Sequence, residues 1–163
     1  MKDRFLIVLL LSFVLLLTSC QPTTTYYLGA TADRESVVRL STLQGEQQRW
    51  QDTYVTIDYT IKQQGGSLAL DGNFAFSISP QINFTRVRDF KVRFFQLDKD
   101  LRVINYQEIV RTLSTNPDDE VTFSYNLKVP GNVVAVTFGY DGFFIDGEEG
   151  TTFAVRKYPR KNP

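Results

Sequence analysis

Residues 55–78, VTIDYTIKQQGGSLALDGNFAFSI, decide the fold of this chain. Apolar side chains occupy every second position on both sides of Gly65-Gly66, which is the period of a strand with one buried face. A glycine pair at the centre of such a pattern is typical of a tight hairpin turn. The stretch therefore predicts two antiparallel strands. Gly72 falls on the apolar face, which indicates a bulge or a close approach of another chain segment.

The same alternation recurs along the rest of the chain, interrupted by turn signals such as Asp98-Lys99-Asp100 and Pro130-Gly131. Further strands are predicted at Val87–Leu97, Leu101–Ile109, Val121–Val129, Val133–Tyr140 and Thr151–Tyr158. Short strands at regular spacing, without a long helix, are typical of an antiparallel sandwich. We therefore predict an all-β fold, an antiparallel immunoglobulin-like or transthyretin-like β-sandwich of about 7–8 strands.

Two segments leave alternatives open. Arg34–Trp50 has enough apolar residues for either a short helix or an extra edge strand. Trp50, the sole tryptophan, either packs into the core at the end of the sandwich or serves as a platform for a ligand. Within residues 87–97 the apolar side chains switch faces between Phe94 and Phe95, so this strand either contains a bulge or is covered on both sides.

The first residues have the layout of an export signal. Lys2 and Arg4 form a basic start, and the apolar run Phe5–Leu17 is shorter than the roughly 20 residues that span a bilayer. Leu17-Thr18-Ser19-Cys20 resembles the lipobox of bacterial lipoproteins. The resemblance implies that residues 1–19 are a signal peptide and that Cys20 carries the membrane anchor, a diacylglycerol with fatty acids such as palmitate.

The resemblance also implies an address in the cell envelope. In Gram-negative bacteria an Asp after the lipidated cysteine retains a lipoprotein in the inner membrane, so Gln21 implies the outer membrane, facing the periplasm. Residues 20–36 are predicted to be the lipidated cysteine and a flexible tether, 37–158 the sandwich domain, and 159–163 a basic C-terminal tail.

Two segments near the ends of the mature chain have features suited to a membrane surface. Tyr26-Tyr27-Leu28 lies either at the level of the lipid headgroups or against an edge of the domain. Arg156–Lys161 contains four basic residues, which either contact anionic headgroups or surface glycans or stay solvated.

The domain resembles two kinds of bacterial sandwich. Phe95-Gln96-Leu97-Asp98 is similar to the pattern of FxLyD-type domains, without the residue between Leu and Asp. The segments 92–97 and 127–131 resemble the outer-membrane lipoprotein of type VI secretion systems, which is also a lipid-anchored sandwich. Both resemblances imply a sandwich fold, and neither supplies functional residues.

Composition excludes several kinds of chemistry. The chain has no histidine, which is the commonest general base and transition-metal ligand. Its only cysteine is Cys20, and lipidation would leave no free thiol. We therefore expect no enzymatic activity and no cofactor. The formal net charge of zero also argues against a nucleic-acid partner, because proteins that bind nucleic acids usually carry a basic patch.

The acidic, glycine-rich segment 141–150, DGFFIDGEEG, is the first choice for a functional loop. Neighbouring aromatic residues on a strand point to opposite faces, so one of Phe143 and Phe144 should be exposed, as in many binding surfaces. We predict a contact surface at Phe143 and Phe144, and as a second choice at Tyr140 with Tyr106. The nearby carboxylates form a weaker candidate for a Ca²⁺ site. Its members are Asp141, Asp146, Glu148 and Glu149.

Two functions from different classes are consistent with these features. The favoured one is a non-enzymatic envelope lipoprotein that presents its sandwich to another protein, as part of an envelope or secretion assembly. The alternative is a module that binds a small ligand or glycan through exposed aromatic residues. A protein contact needs an apolar patch or an open strand edge, whereas a glycan site needs a row of aromatic side chains flanked by hydrogen-bonding groups.

Overall fold

A computed structural model of the protein describes residues 26–43, 45–147 and 150–161. Within them the chain forms nine strands, one short α-helix and two turns of 3-10 helix, Arg34–Ser36 and Leu40–Thr42. The helix α1 spans Ile78–Asn83. The strands are β1 (Val38–Arg39), β2 (Gln48–Gln51), β3 (Val55–Gln64), β4 (Ser67–Phe76), β5 (Arg86–Leu97), β6 (Val103–Thr115), β7 (Val121–Lys128), β8 (Ala135–Asp146) and β9 (Thr151–Lys157).

The strands form two antiparallel sheets, which confirms the predicted all-β sandwich. Sheet I has the order β1-β8-β5-β6. The strand β9 also pairs with β8, on the same side as β1 but further along β8. Sheet II has the order β2-β3-β4-β7. The strand count exceeds the prediction because the ambiguous segment 34–50 supplies β1 and β2 as well as its 3-10 turns.

The hairpin of β3 and β4 forms as predicted, in unbroken register from Val55 opposite Phe76 to Gln64 opposite Ser67. Gly65 adopts a φ of 53°, which suits a residue without a Cβ. Gly72 is a site of close approach, as expected: a Cβ there would lie 2.6 Å from the Asp58 carbonyl oxygen and 2.6 Å from the Phe123 ring. The turn and the glycine together fix the register of sheet II.

The main core lies between the sheets and is rich in aromatic side chains. Tyr59, Phe74 and Phe94 are fully buried in it. Each side chain of this size contributes roughly 1.5–3 kcal/mol on burial, so the aromatic core stabilises the packing of the two sheets. Trp50 is buried against Phe138, with 5.9 Å between the ring centroids, so the core-packing interpretation of Trp50 is confirmed.

A second, smaller core covers the opposite, outer face of sheet I. Phe95 and Leu97 belong to it, together with Tyr27 and Ala30 from the N-terminal segment. The backbone amides of Gly29 and Ala32 donate to the carbonyls of Val103 and Leu101, both at 2.9 Å. This layer explains the change of face in residues 87–97: β5 is covered on both sides, and its register against β6 and β8 also shifts.

This outer layer corrects the predicted domain boundaries. The sequence predicts a flexible tether up to residue 36, but residues 27–32 pack on sheet I because their backbone groups pair with the β5–β6 turn and with the C-terminal segment. Thr31 and Arg160 exchange hydrogen bonds of 2.8 and 3.0 Å, so the basic tail is also held to the domain at Arg160. Cys20 and the lipobox lie outside the described residues. Among the described residues, no helix is both long and apolar enough to cross a bilayer.

Candidate functional site

The segment chosen from sequence as a functional loop is mostly strand. Residues 141–146 form the end of β8, and they pair with β5 on one side and β9 on the other. Phe143 lies on the outer face, 36% exposed, with the Arg88 guanidinium 5.7 Å from its ring centroid. Phe144 is buried in the main core. Only Phe143 can therefore contact a partner, because strand geometry turns its neighbour inward.

The second predicted pair, Tyr140 with Tyr106, is separated by sheet I. Tyr140 is buried in the main core, and its hydroxyl donates to Oδ2 of Asp52 at 2.7 Å. Burial, reinforced by this hydrogen bond, raises the pKa of the Tyr140 phenol far above its usual value. Tyr106 is half-buried on the outer face, with its ring 5.1 Å from Tyr27. These two tyrosines therefore form no joint surface.

The carboxylates proposed for Ca²⁺ do not converge where the structure describes them. Asp141 forms an ion pair with Arg93 on the outer face of sheet I. Asp146 is five positions further along the same strand, about 17 Å away at the rise of an extended chain. Glu148 and Glu149 lie outside the described residues. Among the described part of the chain, no three acidic side chains group as a metal site requires.

Arg93 organises the middle of the outer face. Besides Asp141, its guanidinium lies 3.8 Å from a carboxylate oxygen of Glu108 and 5.3 Å from the centroid of the Tyr27 ring. Burial raises the pKa of the Tyr27 phenol to about 12, although the positive charge of Arg93 opposes the shift. The network fixes Tyr27 on the sheet and thereby sets where the chain leaves the domain.

A cleft opens beside Tyr27, which we name the terminal cleft. It has a volume of about 520 Å³ and lies between the N-terminal segment and the end of β9 with the residues that follow it. Its lining comprises Tyr26, Tyr27, Ala30, Arg156, Tyr158, Pro159, Arg160 and Lys161. Three of these residues are cationic and none of the described lining residues is acidic. The aromatic half and the basic half are each recognisable in the sequence, but the pairing of Thr31 with Arg160 that joins them is not visible in either.

A second surface feature is an apolar end of the sandwich, which we define as Ile78, Ile82, Phe84 and Phe153. Ile78 and Ile82 on α1 are 73% and 74% exposed. They are four positions apart and so share one face of the helix. Phe84 follows the helix and stacks on buried Phe144 at 4.8 Å, and the 46% exposed Phe153 lies 5.5 Å from Phe84.

The apolar end is not evident in the sequence, because a proline at position 80, directly after the alternating stretch, is typical of the end of a strand. Pro80 instead lies within α1, where it is the buried residue of the helix. Its fixed φ is tolerated in the first turn, where the backbone amide has no partner within the helix. The useful signal would have been two isoleucines at helical spacing around that proline.

Comparison with known protein families and with curated proteins finds no match to this chain. The candidate surfaces therefore rest on their own geometry. The described residues provide a basic aromatic cleft, an apolar end and a network of charges on the outer face of sheet I.

Proposed function

We propose that this protein is a non-enzymatic lipoprotein of the bacterial cell envelope that presents its sandwich to a partner protein through the apolar end. The observation that carries the proposal is the exposure of Ile78 and Ile82 on one face of α1. An isoleucine side chain gains about 1.5–3 kcal/mol when it is buried, so two of them left in water at one end are a cost that a partner would relieve.

The surroundings of α1 suit a contact with a folded partner. Phe84 rests on the buried core through its stack with Phe144, which gives the apolar end a rigid base. The exposed Phe153 lies on β9, which pairs with β8 and with no other described strand. A partner strand could pair with the outer edge of β9 while its side chains cover the isoleucines.

The anchor follows from the lipobox resemblance. Each buried methylene of an acyl chain contributes about 0.8 kcal/mol, so more than one chain on Cys20 would attach the protein stably without a spanning helix. From Cys20 to Tyr26 the chain can extend at most about 20 Å. The partner would therefore be reached at or near the membrane, in the periplasm of a Gram-negative organism.

The contact is tested in cells with two double variants of the full chain. Ile78→Ser/Ile82→Ser should abolish crosslinking to the partner in intact envelopes, because it removes the apolar contact. Leu113→Ser/Val134→Ser is the matched control, since these residues are also exposed but lie outside the apolar end, and it should leave crosslinking unchanged. Equal crosslinking by both double variants would contradict the proposal. Cys20→Ala tests the anchor separately, and continued palmitate labelling of that variant would refute lipidation at Cys20.

A further inference from the structure

We propose that the terminal cleft faces the bilayer and binds the phosphate groups of anionic lipid headgroups, so that the domain sits on the membrane in one orientation. The inference rests on the lipid anchor of the proposed function and adds the membrane-facing surface. It concerns a different part of the molecule from the apolar end, on the outer face of sheet I.

The position of the N-terminal segment places the cleft close to the anchor. Tyr26 is the first described residue, it lines the cleft, and it is 65% exposed. Its neighbour Tyr27 is fixed on sheet I by ring contacts to Phe95 at 5.2 Å and Tyr158 at 5.2 Å. Because the chain from Cys20 to Tyr26 reaches at most about 20 Å, the cleft cannot lie far from the lipid surface.

The charges of the cleft complement an anionic surface. Arg156, Arg160 and Lys161 line it, and none of the described lining residues is acidic. Asp141, which lies opposite Arg156 in the sheet register, already pairs with Arg93. Guanidinium and ammonium groups are the side chains that hold phosphate oxygens, and several of them near one surface attract anionic headgroups. The exposed Tyr26 adds an aromatic ring with a polar tip, the kind of side chain that settles at the membrane–water interface.

Among the described residues, the outer face of sheet II has no comparable excess of positive charge, because its basic residues Arg49, Lys62 and Lys128 are matched in number by acidic ones. Asp71 and Glu120 lie there, on or beside its strands, and each accepts a hydrogen bond from a polar neighbour, Ser124 at 2.6 Å and Asn73 at 2.8 Å. Asp58 on β3 is paired with Arg49 at 2.7 Å. Sheet II therefore offers an anionic bilayer no net attraction, so the charge distribution favours the terminal cleft as the side that faces the membrane.

The cleft is also preorganised. Arg160 pairs with Thr31 through two backbone hydrogen bonds, and Arg156 lies on β9 opposite Asp141 in the register of sheet I. Pro159 between them is buried. The basic side chains therefore project from a held backbone, which lowers the entropy lost when they engage headgroups.

Vesicle binding by the fragment 21–163 tests the proposal without the anchor. The fragment contains both described cores, whose residues lie between Tyr27 and Tyr158. It should sediment with vesicles of phosphatidylcholine and phosphatidylglycerol but not with phosphatidylcholine alone, and added salt should weaken binding. Arg160→Glu/Lys161→Glu should lower the partition coefficient roughly 25-fold or more, from about fivefold for each basic residue lost.

The matched control is Lys62→Glu/Lys128→Glu, which changes the net charge equally on the exposed surface of sheet II. It should alter binding by less than about twofold, because those residues face away from the bilayer. Equal loss in both double variants would mean that only net charge matters and would overturn the proposal. Thermal unfolding followed by circular dichroism confirms that the variants remain folded.

Two further outcomes would also overturn it. Absence of binding to the anionic vesicles would refute the membrane-facing cleft, while the labelling of Cys20 would still decide the anchor independently. Binding to a glycan array that depends on Arg160 and Lys161, without vesicle binding, would assign the cleft to a glycan. In the full chain, reconstituted through its lipid, trypsin should cut after Arg160 more slowly in anionic than in zwitterionic vesicles, and equal rates would contradict the proposal.

Discussion

The hydroxyl groups of Tyr59 and Tyr140 affect folding stability in opposite directions, although both lie in the same core. Both side chains are buried between the sheets. The Tyr140 hydroxyl donates to Asp52 at 2.7 Å, whereas the Tyr59 hydroxyl has no hydrogen-bond partner among the described residues. A buried polar group without a partner costs about 1–3 kcal/mol, and one with a partner contributes about 1 kcal/mol.

The same chemical change at these two residues should therefore have opposite signs. Tyr59→Phe should raise the free energy of unfolding by about 1 kcal/mol, because it removes an unsatisfied hydroxyl. Tyr140→Phe should lower it by about 1 kcal/mol or more, because Asp52 loses a donor. Urea unfolding of the fragment 21–163 measures both. A decrease in stability for Tyr59→Phe would show that this hydroxyl is satisfied in solution.

For single residues, the sequence predicts that neighbouring side chains on a strand face opposite sides of the sheet, but not which of them is buried. Adjacent Phe143 and Phe144 had to face opposite sides, and they do. Which of them is buried depends on the pairing of β8 with β5, where Phe144 stands opposite buried Val87. The prediction of a contact surface at Tyr140 is wrong for a similar reason, because its neighbours in sequence do not reveal that Trp50 and Phe90 pack against it.

At the scale of elements, β8 is the strand on which sheet I depends, since β1, β5 and β9 all pair with it. Gly139 on β8 lies in close contact with the end of β9 and with Tyr158. A Cβ there would lie 2.5 Å from the Lys157 carbonyl oxygen and 2.9 Å from the Phe95 ring. The close contact with the backbone of Lys157 cannot be relieved by a change of side-chain rotamer.

Gly139→Ala should therefore destabilise the domain by about 1–3 kcal/mol, since overpacking forces β9 or Phe95 to shift. Gly66→Ala is the matched control, because a Cβ at Gly66 would meet no described atom within 4 Å. We expect the control to change stability by less than about 0.5 kcal/mol. Equal thermal unfolding midpoints for the two variants would contradict the close approach at Gly139.

The elements that sequence analysis misplaced are those whose partners are distant in the chain. The strands of the β3–β4 hairpin are neighbours, so their alternation was enough to predict them. Residues 27–32 have no period of their own, and they are ordered by backbone pairing with Leu101, Val103 and Arg160. A local pattern cannot distinguish such a segment from a tether, since the stabilising groups are supplied by the other end of the chain.

At the scale of the whole molecule, periodicity was sufficient for the sandwich class but not for the position of its surfaces. The strand β9 lies beside β8, and Arg160, in the segment that follows β9, pairs with Thr31. The terminal cleft exists only because of that return. Both of its halves were recognisable in sequence as aromatic and basic segments, and only the three-dimensional fold makes them one site.

Stability of the whole molecule should fall in alkaline solution, because its core contains buried phenols. Burial raises the pKa of Tyr59 to about 12, and the pKa values of Tyr27 and Tyr140 are also raised. The raised values mean that between about pH 10 and 12 the folded chain keeps protons that the unfolded chain releases. The stability from these groups is fully present below pH 10 and is lost above it, by roughly 1.4 kcal/mol per pH unit for each phenol.

Tyr59 isolates one part of this effect, because burial is the sole cause of its shift. In Tyr59→Phe, the unfolding free energy should fall less steeply between pH 10 and 12 than in the natural sequence. The difference in slope should be about 1.4 kcal/mol per pH unit, which is the contribution of one proton. Urea unfolding at a series of pH values measures the two slopes. Below pH 9 the unfolding free energies of the variant and of the natural chain should depend on pH in the same way. Identical slopes above pH 10 would mean that the Tyr59 phenol ionises in the folded state as freely as in the unfolded chain, and therefore that water reaches this part of the core.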